Sequence, residues 1–89
     1  MNIPVYKLEG RVIRHSRRYI IMPSPGFGDL LRGLKRVRLY LGALPLTAKV
    51  GKWRDRYIIY LPEGLEAIWE GMHGREVIVT IEPLPNGVR

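Results

Sequence analysis

The chain has 89 residues, 46% of them apolar, with no cysteine and a formal net charge of +7. A chain this short builds one small core, burying about 60–65% of its unfolded surface. Its apolar content excludes intrinsic disorder, and the absence of thiols excludes disulfides, thiolate metal sites and cysteine catalysis. The longest uncharged runs, 19–28 and 39–48, contain prolines and reach ten residues, half of what a membrane helix needs. The opening MNIPVYKLEGRVIR lacks the basic-then-apolar layout of a secretory signal, so a cytoplasmic protein without membrane contact is expected. The lack of Gln and Cys, with many Arg and seven Pro, is a thermophile's composition.

In chain order, residues 6–14 read as a first strand and 18–22 as a second, rich in β-branched and aromatic side chains. Pro23 and Pro25 close it, and a short helix is expected around 27–34, among glycines 26, 28 and 33. A third strand covers 36–41, with Arg36, Arg38 and Tyr40 facing outward. Residues 46–52 form a fourth strand leading into the polar hairpin Trp53-Arg54-Asp55. The fifth, 56–61, places Tyr57, Ile59 and Leu61 on one face. Pro62 ends that strand and suits the first turn of a helix. Leu65, Ile68, Trp69 and Met72 follow the i, i+3, i+4, i+7 spacing of an amphipathic helix, and Gly71 and Gly74 bracket its end. Residues 76–82 alternate, with Val77, Val79 and Ile81 inward and Glu76, Ile78, Thr80 and Glu82 outward.

The two halves of this list are one unit written twice. Residues 11–34 align on 49–72 at an offset of 38, with Val12, Arg18, Tyr19, Ile20, Ile21, Gly26 and Gly33 meeting identical residues. After a two-residue insertion the offset becomes 40, and Val37, Leu39, Leu41, Leu44 and Pro45 meet Val77, Val79, Ile81, Leu84 and Pro85. Neither copy, about 5–43 or 44–85, can cover its own apolar face. The expectation is therefore a single domain, all-β with two short helices, whose six strands close into a pseudo-twofold barrel and leave no exposed edge. Residues 86–89 form a short tail.

The string RYIIYLPEGLEAIWEGMHGREVIVTI resembles the AbrB-type unit: a strand ending in Ile-x-Leu-Pro, a short helix, then Gly-x-x-Val opening an alternating strand. Duplicated units of this kind are similar to the cradle-loop barrels. That resemblance implies a RIFT-like barrel, with the double-psi barrel as its alternative. A plain hairpin before each helix favours the RIFT-like form.

Enzymatic chemistry finds no support. No Gly-Ser occurs for pyruvoyl formation, and no Asp-x-Asp-Gly-Asp loop for magnesium. His15 and Ser16 are strand neighbours and point to opposite faces. His73 sits at a helix end, where a cap is the ordinary role, and Asp29 and Asp55 have no second carboxylate at a metal-building spacing. Pro25-Gly26-Phe27-Gly28-Asp29 lacks the Gly-Lys-Ser/Thr of a P-loop. Neither catalytic residues, metal ligands nor a cofactor are expected.

Charge carries the functional signal. Residues 1–44 hold nine Lys/Arg against Glu9 and Asp29, whereas 45–89 hold six basic and six acidic groups. Where the copies align, Arg17 meets Asp55, Arg32 meets Glu70 and Arg38 meets Glu76. Arg14, Arg17, Arg18, Arg32, Lys35, Arg36 and Arg38, with Tyr40 and Trp53 as stacking surfaces, are the residue types that bind phosphates and bases. The expected partner is DNA or RNA, held by a basic face on the first repeat. The rival expectation is a protein-interaction or self-association module in which the reversed charges of two molecules complement each other.

Overall fold

The computed structural model describes residues 5–84; Pro85 and the tail at 86–89 lie outside them. The strands are β1 (Tyr6–His15), β2 (Arg18–Pro23), β3 (Arg36–Leu41), β4 (Leu44–Trp53), β5 (Arg56–Tyr60) and β6 (Glu76–Pro83). A 3-10 turn, Gly28–Leu31, precedes β3, and helix α1 (Glu66–Met72) precedes β6. All pairings are antiparallel, and the barrel closes in the order β1-β2-β5-β4-β3-β6.

Exchanging β1, β2 and β3 for β4, β5 and β6 reproduces the same neighbours, and the registers agree. Val12 opposes Ile21 as Val50 opposes Ile59, and Arg14 opposes Tyr19 as Lys52 opposes Tyr57. Across the axis, Ile21 opposes Ile59. The third strand of each half pairs only with the other half: β3 with β4 and β6, and β6 with β1 and β3.

The barrel interior is one apolar cluster. It contains Leu8, Val12, Tyr19, Ile21, Leu31, Val37, Leu39, Ala48, Ile59, Leu61, Trp69, Val79 and Ile81, with Tyr57, Val77 and Met72 packed against it. Each fully buried aliphatic side chain contributes about 1.5–3 kcal/mol. The alternation expected of β3 and β6 is observed: Arg36, Arg38, Glu76 and Ile78 are exposed while Val37, Leu39, Val79 and Ile81 are buried.

Three local expectations are corrected. The first helix is one 3-10 turn rather than a helix over 27–34, because glycines 26, 28 and 33 weaken it and Gly33 turns the chain at φ +78°. Pro62 ends β5 but does not open α1, which starts at Glu66 after Gly64 adopts φ +95°. There the Glu66 carboxylate accepts the Gly64 N–H at 2.9 Å. The glycine that turns the chain after α1 is Gly74, at φ +82°, not Gly71, which stays helical. No helix among the described residues is long and apolar enough to cross a membrane.

Candidate nucleic-acid interface

Barrel closure decides which cations share a face. In the closed order β2 and β3 lie three strands apart in either direction, so their outer faces point to opposite sides. Arg18, on the outer face of β2, therefore does not share a surface with Arg36, Arg38 and Tyr40, on that of β3. The nine expected residues do not form one patch.

A cross-strand row shows where the charge concentrates. On the outer face, Arg36 of β3 opposes Lys49 of β4, Lys49 opposes Tyr60 of β5, and Tyr60 opposes Ile20 of β2. The corresponding row in the other half runs from Glu76 of β6 to Arg11 of β1 and on to Met22 of β2. There the Arg11 guanidinium donates to Glu76 Oε1 at 3.0 Å and a second nitrogen donates to the Gly74 carbonyl at 2.8 Å. One row thus carries an ion pair and its counterpart two adjacent cations. This register agrees with the offset of 40 and corrects the match of Arg38 with Glu76: Glu76 stands where Arg36 stands, and Arg38 corresponds to Ile78. Arg38 lies opposite Glu82 and pairs with it at 3.9 Å, while the Tyr40 hydroxyl donates to the same carboxylate at 3.3 Å.

The outer face of β2, β5 and β4 carries the aromatics. Gly51 makes room for Tyr60, since a Cβ there would overlap the ring. The Arg18 guanidinium lies 4.8 Å from the Tyr60 ring centre and donates to the Leu61 carbonyl at 3.3 Å. His15 and Trp53 meet with ring centroids 4.9 Å apart and planes at 51°. His15 opposes Arg18 and Trp53 opposes Arg56, on opposite sides of the Ile21–Ile59 pair. On a flat sheet the two rings would occupy diagonal corners. Their contact means that both hairpins coil over the outer face, as strongly twisted two-stranded ribbons do. Such coiling accounts for Ile20 and Ile58, which face outward by alternation yet are fully buried and lie outside the interior cluster.

The remaining residues are dispersed. Arg14 lies 5.9 Å from the Tyr19 ring at the end of β1, and Arg17 is exposed in the first hairpin turn. Arg32 pairs with Asp29 at 3.1 Å, and Lys35 is exposed just before β3, its carbonyl accepting the Val50 N–H at 2.8 Å. Arg32 also lines a cleft of about 530 Å³ with Lys52, Asp55 and Arg56, between the turn after β2 and the second hairpin. The reversed charges at 32 and 55 therefore lie in one cleft of one molecule. Of the residues weighed for chemistry, His73 packs edge-on against Tyr19, with centroids 6.0 Å apart. Ser16 occupies its hairpin turn at φ 59°.

Sequence reasoning missed Lys49, Tyr60 and Arg54. Lys49 and Tyr60 join the row only through register. The available signal was Gly51, a glycine inside a strand pattern that marks a close approach, here that of the Tyr60 ring. Comparison with protein-family models, with curated proteins and with solved structures gave no match.

Proposed function

We propose that this chain is a small, cytoplasmic, non-enzymatic module that binds nucleic acid, with its phosphate contacts centred on the Arg36–Lys49 row. The carrying observation is what the two equivalent rows hold: one half sets the carboxylate of Glu76 opposite Arg11, and the other sets Arg36 opposite Lys49. Two basic residues side by side on neighbouring strands, about 5 Å apart in the pairing direction, give a polyanion two contacts along one line. Arginine contributes a planar fork matched to phosphate and lysine a compact charge. In the rival reading, reversed charges dock on a second molecule; of the arginines it invokes, Arg32 and Arg38 pair within their own chain, with Asp29 and Glu82. As to fold type, the plain hairpin before each helix and the exchange symmetry support a RIFT-like cradle-loop barrel.

The test is a fluorescence-anisotropy titration with a labelled duplex and a labelled single strand as salt rises from about 50 to about 500 mM. Binding at low salt, with the logarithm of affinity falling linearly against the logarithm of salt, is expected. The absence of association with either probe at low salt overturns the proposal.

A further inference from the structure

We infer that Trp53 is a stacking site for an unpaired base, so that the preferred ligand is single-stranded nucleic acid; this rests on the nucleic-acid reading above. Trp53 is the last residue of β4, half-buried on the outer face and outside the interior cluster, whereas the other tryptophan, Trp69, is 1% exposed within that cluster. An indole at a hairpin end is set in place here without a ligand, because His15 of the other hairpin braces it at 4.9 Å. The Arg54 guanidinium also lies against this indole, 5.4 Å from the ring centre.

Arg54 supplies the second, independent observation. Its φ is +58°, a conformation that glycine adopts readily and other side chains only with strain. A glycine would make this turn more cheaply, yet the position carries a long cation laid against an aromatic ring. A base offers the same kind of flat surface as the guanidinium, and the adjoining phosphate offers Arg54 a charge partner. The base takes Arg54's place on the indole while Arg54 swings to the phosphate. Arg56 and Asp55 line the same hollow as Trp53 and Arg54. A base inside a duplex has both faces occupied by its neighbours and cannot enter this stack.

The experiment uses the full chain labelled with 5-fluorotryptophan, which gives two fluorine resonances. The buried Trp69 is the internal control. A ten-nucleotide oligothymidine is expected to shift the Trp53 resonance and leave that of Trp69 in place, whereas a duplex of about ten base pairs shifts neither. Trp53→Leu, which keeps an apolar group at the hairpin end, is expected to weaken single-strand binding about tenfold and leave duplex binding unchanged, whereas Trp53→Phe stays within a few-fold. Thermal melting establishes that each variant is folded. Equal affinity for both probes, or single-strand binding that Trp53→Leu does not alter, overturns the stacking inference and leaves the phosphate reading standing. No binding of either probe overturns both.

Discussion

Reversing one charge should convert the cationic row into its neutral counterpart. In Arg36→Glu the new carboxylate stands opposite Lys49, as Glu76 stands opposite Arg11 at 3.0 Å. Two phosphate contacts are lost, because the arginine is gone and the lysine gains an anion beside it. Each phosphate contributes a slope of about 0.9 in log affinity against log salt for a duplex and about 0.7 for a single strand. The slope should therefore fall by about 1.8 or 1.4. Relative to 1 M salt, that is a loss of about 60-fold or 25-fold at 0.1 M, shrinking as salt rises. Stability should change by less than about 0.5 kcal/mol, as at other exposed positions, so the melting temperature serves as a control. Glu76→Arg is the mirror experiment: it places a second cation opposite Arg11 and should steepen the slope. Anisotropy titrations at four or more salt concentrations measure both. A loss of affinity independent of salt, or an unchanged slope, would refute the assignment of phosphate contacts to this row.

Ile59, fully buried on the exchange axis, should cost about 2–5 kcal/mol on truncation to Ala; a change below about 1 kcal/mol in urea unfolding would contradict the closed core. Gly51→Ala should drive the Tyr60 ring off β4 and cost about 1–3 kcal/mol by overpacking, with an altered tyrosine spectrum in near-ultraviolet circular dichroism; an unaltered spectrum would contradict the contact. Arg54→Gly should raise stability by up to about 1 kcal/mol by relieving a positive φ while weakening single-strand binding, so that stability and affinity move in opposite directions. If Arg38→Glu shifts the sedimentation of the protein from dimer to monomer, the self-association reading replaces the nucleic-acid one.

Much of the barrel was legible from alternation alone. In β6 every inward residue differs in polarity from its outward neighbours save Ile78, and the inward and outward sets predicted for β3 and β6 are those observed. The segment 27–34 is less legible: Phe27, Leu30, Leu31 and Leu34 have helical spacing, whereas the glycines at 28 and 33 decide the backbone and leave one 3-10 turn. The site was less legible for a different reason. Which cations share a surface depends on strand order around the barrel, and that order comes from pairings between distant segments. Arg18 and Arg36 belong to one repeat, yet β2 and β3 face away from each other. The Arg38–Glu76 match fails for another reason: it keeps the offset of 38 past the two-residue insertion, whereas the offset of 40 sets Arg36 on Glu76, as the cross-strand partners Arg11 and Lys49 also do.

The exchange of third strands has a kinetic consequence. β6 can dock only when β1 and β3 are both in place, and Tyr6 meets Ile81 across nearly the whole length of the chain. Loop closure of that span precedes the reward of the contacts it brings, so this small protein should fold over milliseconds to seconds, as barrels dominated by non-local pairings do, rather than in microseconds. The hairpin β1–β2 and the meander β3–β4–β5 close only short loops and should form first, the β2–β5 pairing then joining them. Until β6 arrives, the free edges of β1 and β3 remain open to strands from other molecules. Refolding yield should therefore fall as protein concentration rises, even though the finished barrel has no edge to offer.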